Sequence, residues 1–471
     1  MRPLPKEVLA TAGVIDAMIA DGTIDGSGGG LHHMDGSSLA ELVDTEAGLV
    51  DPRIFTDLDV YLLELERIFG KAWLFVAHES EIPHPGDFVT RSMGPDRVIV
   101  SRGLDGVVRV MLNACRHRGR RVCEEDMGRT AQFKCPYHGW TYAVSGELVG
   151  VPFFEAYQGR LDTSALGLYC APRVDTSHGL IFASWEETAE PLSEYLGALA
   201  WVFDILFGRT GSVEVVGPPM RWVVPANWKL GAANFAGDGH HVAITHGFVS
   251  ALGLKNPRQR AVSYVVPGGR GHVANLGGWP PDANEGPFLG LPGEIWPEIE
   301  QRLDPKQIDL MRSLRVIAGN TFPNMSFLHT ASPGGGEWGG PADLPTMSFL
   351  TVRQWQPRGP DRMEVWSWQL MDGAAPGWWK EASRQCYLRE FGPGGIFEQD
   401  DTANWASITQ TLQAPTAKRL ALQYRMGLEP GPPEEWPGVG SVYVKPSVGE
   451  ISERLFYGEW HRQIQVETTQ P

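Results

Sequence analysis

Cysteine is scarce in this chain, with five among 471 residues. That is too few for a disulfide scaffold at this length, so the fold has to rest on a packed core. Long apolar runs are missing as well. The strongest, residues 195–208, is short for a bilayer and carries Asp204, which excludes a spanning helix there. The opening MRPLPKEVLATAG lacks the charged, apolar, small-residue layout of a secretory signal. Cationic residues are outnumbered, 40 Lys and Arg against 56 Asp and Glu, and the net charge of -16 argues against nucleic acid as the main partner. No internal repeat is visible. What remains is a chain of ordinary globular composition, long enough for two or three domains and expected in a reducing cytoplasm, neither on nor in a membrane.

What is present is more specific. Cys115-Arg-His117 is followed, after seventeen residues, by Cys135-Pro-Tyr-His138. Each short pair mixes one thiolate with one imidazole, whereas zinc fingers usually pair Cys with Cys and His with His. Mixed pairs suit a two-iron cluster held by two Cys on one iron and two His on the other. Neutral imidazoles in place of two thiolates raise the potential of such a cluster. A single zinc is the alternative. Of the remaining thiols, Cys123 is near the motif, but it, Cys170 and Cys386 read as ordinary small side chains.

The chain reads as α+β. Residues 1–38 form an N-terminal extension ending in the linker-like Gly26-Ser-Gly-Gly-Gly30, with one short helix over residues 10–20; His32 and His33 follow without partner ligands. Residues 39–72 form a helical lead-in. Its helix, residues 57–72, is capped by Thr56 or Asp57 and has Tyr61, Leu65, Ile68, Phe69 and Ala72 on one face. Residues 73–190 form a small antiparallel β domain, with short β-type runs at 87–90, 97–101 and 107–112 and a hairpin turn at Ser145-Gly146. Residues 191–471 form a larger domain, an antiparallel sheet flanked by helices. Helices are expected at 191–208, 376–391 and 402–412, strands at 220–225, 346–355 and 362–371, and long loops over a site at 268–297.

A second constellation lies in Asn227-Trp-Lys … Asp238-Gly-His-His241 … His246. If residues 238–246 are helical, the two imidazoles are five apart, and the helix must bend or widen to bring both to one metal. Two histidines and one carboxylate on one face of Fe(II) leave positions open for dioxygen.

Cys-Arg-His-Arg-Gly, Cys-Pro-Tyr-His-Gly-Trp, Asn-Trp-Lys and Asp-x-x-His-x-x-x-x-His, in this order, resemble the α subunit of Rieske non-haem iron aromatic-ring-hydroxylating dioxygenases, the branch that acts on naphthalene, biphenyl and polycyclic aromatics. The resemblance extends to the segment from Phe391 to Trp405, where the family's second aspartate is a ligand. That implies Asp401 as the third ligand beside His241 and His246, with Asp400 the fallback. Asp-Asp before a helix is otherwise a cap. The resemblance further implies a [2Fe-2S] cluster on Cys115, His117, Cys135 and His138, a mononuclear Fe(2+), and O2 as co-substrate. Asp238 is implied as a bridge from His138 of one subunit to His241 of the next, with Asn234 beside it. Two positions depart from the family pattern: Ala233 replaces a frequent Glu, and His240 replaces a frequent Tyr and could compete as a ligand.

The implied reaction adds both atoms of O2 to one ring edge, giving a cis-dihydrodiol. Electrons come from NAD(P)H through a reductase and a ferredoxin. The implied assembly is a homotrimer of α, or α3β3 with a small β subunit. Arg116, Arg118, Arg120 and Arg121 could dock an acidic ferredoxin, or could pair locally with Glu124, Glu125 and Asp126. Pocket positions carried over are Asn234, Phe235, Val242, Val316, Ala318, Leu328, Phe391 and Phe397, which fit a bicyclic or larger aromatic hydrocarbon. An aromatic carboxylate is the rival substrate and would need a cation such as Arg258, Arg260, Arg312 or Arg315. A Rieske monooxygenase or demethylase, or an electron carrier with a dead iron site, are the remaining alternatives.

Overall fold

The computed structural model describes residues 39–248, 262–278, 288–332, 347–429, 431–445 and 449–465. The N-terminal extension, with His32 and His33, lies outside the described residues, as do Arg258 and Arg260. The architecture is α+β. Its largest element is a ten-stranded antiparallel sheet running Val213–Val215, Met363–Asp372, Met347–Pro357, Met325–Ser332, Leu314–Thr321, His272–Gly278, Val262–Gly269, Ser441–Lys445, Glu434–Glu435, with Met220–Val224 also paired to Met363–Asp372. The two longest strands, Met347–Pro357 and Met363–Asp372, are rich in Trp, Val, Phe and Leu and are buried on both faces, as central strands covered by other layers must be.

Register fixes what one sheet face presents, because side chains alternate along each strand. Val265, Asn275, Ala318, Leu328 and Thr351 are successive cross-strand neighbours, and so are Ser263, Gly277, Val316, Thr330 and Phe349. Helix Trp228–Gly237 packs across this part of the sheet, helix Ile451–Gln465 packs on that helix, and helix Gly377–Phe391 packs on Met347–Pro357.

The cysteine–histidine motifs belong to a lobe of short antiparallel strands. Val108–Leu112, Asp96–Arg102, Asp87–Met93 and Met127–Arg129 form one sheet, and Leu148–Gly150, Thr141–Ala143 and Gln132–Lys134 another. This lobe has its own small core, including Phe88, Ile99, Met111, Phe133, Trp140 and Tyr142. Arg358 ties it to the large sheet, donating to Ser92 Oγ at 3.0 Å, to the Gly94 carbonyl at 3.1 Å and to Glu364 Oε2 at 3.0 Å.

Several expected elements take a different form. The helix after Asp57 is capped by that residue, whose carboxylate accepts from the Asp59 and Val60 amides. It is α only over Leu58–Glu64, and a π turn over Leu65–Phe69 widens it and ends it early. Its buried face is therefore Val60, Glu64, Ile68 and Phe69, with Tyr61 and Leu65 at the edge. Buried Glu64 accepts from Trp228 Nε1 and Trp460 Nε1 at 2.8 Å each and pairs with buried Lys229, anchoring the segment beneath helix Trp228–Gly237. The single helix expected at 191–208 is two, Leu192–Leu196 and Leu199–Phe207, broken at Gly197, whose φ of 51° takes it out of the helical region. The loops expected at 268–297 begin instead as a hairpin between Val262–Gly269 and His272–Gly278, with left-handed Gly269 and Gly271 making the turn.

Candidate active site

Asn227 caps helix Trp228–Gly237 by accepting from the Lys229 amide at 3.1 Å. The helix ends at Gly237, where φ is 155° and a Cβ would clash with Asn275 Nδ2. Asp238 is thus the residue after the helix and not part of one. The condition of a continuous helix over 238–246 is not met; a single turn, His241–Ile244, follows the break. That break removes the geometric difficulty of imidazoles five residues apart. The third group comes from helix Ile396–Leu412, which begins six residues earlier than its apolar pattern predicts because Gly395 takes the cap position. Asp400 and Asp401 lie inside this helix, so neither is its cap.

Asp401 Oδ1 lies 3.2 Å from His246 Nε2 and 3.5 Å from His241 Nε2. Among the described residues, these three alone bring ligand atoms within 4.8 Å of one another, and His240 stands outside the group. Asp401 Oδ1 is buried and has no hydrogen-bond donor. Each imidazole turns its other nitrogen toward oxygen. His241 Nδ1 meets the Asp238 carbonyl and stands 3.4 Å from Asp238 Oδ1, and His246 Nδ1 stands 3.4 Å from Asp400 Oδ2. An outward-facing oxygen fixes the tautomer that leaves Nε2 as donor to a metal. Two imidazoles and a carboxylate on one side fit an Fe(II) with open positions.

Burial disfavours a charged His241, but the Asp238 and Asp401 carboxylates outweigh it and raise the pKa. Burial likewise pushes Asp238 up, and His241 and His240 bring it down below its ordinary value. Asp238 Oδ1 is shared, being 3.2 Å from His240 Nδ1 as well. The substituted His240 therefore acts on Asp238, on the outer side of the ligand group. Ala233, at the other departure, is buried and offers no polar atom.

A cavity opens beside His241, His246 and Asp401. All eight carried-over positions line it: Asn234, Phe235, Val242, Val316, Ala318, Leu328, Phe391 and Phe397. Asn234 Nδ2 lies 3.4 Å from His241 Nδ1. Sequence reasoning missed Ser263, Val265, Asn275, Thr330 and Glu390, which also line the cavity. Strand pairing would have found the first four, since they share the sheet face of Val316 and Ala318; Glu390 directly precedes Phe391. Among the described residues no Lys or Arg lines the cavity. Arg312 is exposed and pairs with Glu300 and Asp309, and Arg315 does not line it either.

At the cluster motifs, two loops repeat one design. The Gly119 amide donates to the Cys115 carbonyl at 2.8 Å and the Gly139 amide to the Cys135 carbonyl at 3.0 Å, each glycine being left-handed. The thiols of Cys115 and Cys135 are buried, and Cys115 is pushed up by burial and by its contact with Cys135, opposed by the Tyr142 hydroxyl 3.2 Å away. The His117 and His138 rings stand 4.6 Å apart between centroids, His117 stacks on Trp140, and His138 is exposed. No three of these side chains gather as closely as His241, His246 and Asp401 do. A thiol pair inside and an imidazole pair outside suit two bridged irons better than one zinc. Of the neighbouring arginines, Arg120 and Arg121 pair with Glu124, Arg116 reaches the Gly167 carbonyl, and Asp126 pairs with Arg221.

Comparison with known proteins decides the family. The Rieske [2Fe-2S] domain family matches residues 72–164. The chain is 37% identical over 448 residues to the biphenyl dioxygenase subunit alpha of Metapseudomonas furukawaii, covering 91% of this chain and 93% of the other. It belongs to the α subunits of Rieske aromatic-ring-hydroxylating dioxygenases. This α subunit is also 37% identical to the N,N-dimethyl phenylurea N-demethylase subunit alpha of Sphingobium sp. (strain YBL2), covering 89% and 92% of the two chains. Its fold superimposes on naphthalene 1,2-dioxygenase from Rhodococcus sp. bound to indole with a TM-score of 0.84, at 43% identity, covering 89% and 95%. It is therefore an oxidoreductase of the class that incorporates both atoms of O2, with a [2Fe-2S] cluster and a mononuclear iron as its cofactors. Among the described residues, no helix is long and apolar enough to cross a membrane.

Proposed function

We propose that this α subunit is the terminal oxygenase for a bicyclic or polycyclic aromatic hydrocarbon, which it converts to a cis-dihydrodiol. The observation that carries the substrate class is the cavity wall: Phe235, Phe391, Phe397, Val316, Ala318 and Leu328 beside His241, His246 and Asp401, with no cation among the described lining residues. Such a wall holds a flat apolar ring by area burial and ring packing. Among the described residues it offers no cation to neutralise an aromatic carboxylate, which speaks against that rival.

Residue roles follow from position. Cys115, His117, Cys135 and His138 hold the cluster. His241, His246 and Asp401 hold the iron, which when bound supplies the binding and reduction of O2. Asn234 steadies His241, and Asp238 orients its Nδ1 and offers the bridge toward a cluster histidine. Tyr137 and Phe153 are exposed beside His138, and a neighbouring α subunit covering them would bring His138 to Asp238. We read the assembly as a homotrimer of α, alone or as α3β3 with a small β subunit. Residues 73–190 act as the cluster domain and residues 191–471 as the catalytic domain, with 39–72 as the lead-in. Electrons arrive from NAD(P)H through a reductase and a ferredoxin in the cytoplasm. With Arg120 and Arg121 already paired to Glu124, Arg116 and Arg118 are the better candidates for ferredoxin docking.

The test is turnover with a ferredoxin and reductase on a panel of mono-, bi- and tricyclic hydrocarbons and aromatic carboxylates, with products read by mass. A gain of two oxygens on bicyclic or larger hydrocarbons supports the reading, and activity confined to carboxylates overturns it. A second reading, oxidative N-demethylation of an aryl urea, is favoured by Glu390 and Thr330, which place hydrogen-bonding groups in the cavity, and by the likeness to the phenylurea demethylase subunit. Formaldehyde release from an N-methyl aryl urea in the same panel separates the two.

A further inference from the structure

Strand Met347–Pro357 runs beside the cavity floor. Leu328 pairs with Thr351 and Ser326 with Arg353, so Arg353 leaves the sheet on the face that carries Leu328 and Thr330. It is wholly buried. One guanidinium nitrogen donates to Glu398 Oε2 at 2.5 Å and another to the Phe391 carbonyl at 2.9 Å. The guanidinium carbon lies 5.1 Å from the ring centroids of both Phe235 and Phe391, and the rings of Trp355 and Trp222 lie at 5.8 and 5.6 Å.

A buried ion pair is a poor way to gain stability, because desolvation of both charges offsets most of their attraction. What this pair does is geometric. Phe391 ends helix Gly377–Phe391, and Gly395 caps helix Ile396–Leu412 without a side-chain hydrogen bond. The link between them is Gly392-Pro-Gly-Gly395, a connection with little stiffness of its own at its three glycines. Arg353 grips both sides of it, Phe391 before and Glu398 after. Glu398 and Asp401 are three apart on one helix and so share a face. Phe235 lies three residues before Asp238, on the helix that leads to His241.

We propose that Arg353 is a positioning residue that clamps this glycine-rich link, setting the distance from Asp401 to His241 and His246 and the placement of the Phe391 and Phe397 rings. It controls retention of the mononuclear iron and the ring edge that is attacked. This rests on Asp401 as an iron ligand.

The experiment compares wild-type protein with R353M, R353K, E398Q and D401A, all purified as the complete oxygenase. Iron and sulfide per α chain, cluster absorbance, Tm and the regioisomer ratio from a bicyclic hydrocarbon are measured. R353M and E398Q are expected to keep sulfide and cluster absorbance but to lose the mononuclear iron at least about tenfold faster on dialysis, since supporting groups around ligands typically set affinity on that scale. Their regioisomer ratio shifts, and R353K restores both in part. Wild-type iron retention with an unchanged ratio in R353M overturns the proposal. If R353M does not fold, E398Q, which keeps the cation, carries the same decision. D401A separates the two layers. If it keeps the mononuclear iron, the ligand assignment fails, and the clamp is judged on the regioisomer ratio alone, supported by a shift and overturned by none.

Discussion

Asp400 Oδ2 stands 3.4 Å from His246 Nδ1, on the side of the ring opposite the nitrogen that faces Asp401. Consecutive residues of one helix thus serve the two nitrogens of a single imidazole, one as its neighbour in the ligand group and one as its outer support. The arrangement assigns the adjacent aspartates different roles.

The roles separate by mutation. D401A is expected to lower the iron content from about three to about two per chain, with cluster absorbance intact and turnover abolished. D400A should retain iron but bind it about tenfold more weakly, as loss of an outer-shell partner does. Metal analysis across a chelator titration checks both. If D400A empties the site and D401A does not, the assignments exchange.

Asp238 touches His240 and His241 through one oxygen. D238N should leave both metal centres loaded and slow electron transfer between them by at least about tenfold, because the amide is a weaker acceptor toward both rings. H240F should keep the mononuclear iron. Single-turnover oxidation of the reduced cluster in the presence of substrate reads the first effect, and metal analysis reads the second. An unaltered rate in D238N removes the bridge, and iron loss in H240F makes that residue a ligand.

Much of this site is legible in the chain because its chemistry is local. The Cys-x-His and Cys-x-x-His loops close on themselves through Gly119 and Gly139, so their spacing survives into the fold. The catalytic trio is legible only by resemblance, since nothing in the local pattern says that the helix carrying Asp401 returns to His246. Gly237 and Gly239 flank Asp238 and weaken any helix there, but the sequence does not say which glycine ends it; the close approach of Asn275 and Ser452 requires glycine at 237 and ends the helix. Arg353 could not be found at all. A cation in a β-type run signals an exposed edge, and its partner Glu398 lies on a different element.

A pH dependence follows at the joint between the lobe and the large sheet. Burial pushes Glu364 up, but Arg358, with Arg97 beyond it, holds its pKa below the usual carboxylate value. A depressed carboxylate stabilises the fold above its unfolded pKa, about 4.3, and that contribution fades as pH falls through the lower folded value. E364Q should therefore have a lower Tm than wild type at pH 7, and the gap should narrow as pH drops below about 4. Thermal melts across this range check it; a gap that does not vary with pH would show that the charge on Glu364 contributes nothing.

The cavity floor should tune ring size. V316F places a large ring where a branched side chain now faces the cavity, and turnover of bicyclic hydrocarbons should fall by about tenfold or more while monocyclic substrates are spared. Relative kcat/KM on paired one-ring and two-ring substrates measures it. Equal losses on both would mean that Val316 acts on the fold and not on the substrate.

The three proposed iron donors lie outside the sheet, as do Phe235, Phe391 and Phe397, whereas Ser263, Val265, Asn275, Val316, Ala318, Leu328 and Thr330 all stand on strands. The sheet side of the cavity wall thus stands on different backbone from the proposed iron donors, while its aromatic side shares theirs. Substitution at those alternate strand positions should reshape the cavity without moving the segments that carry His241, His246 and Asp401.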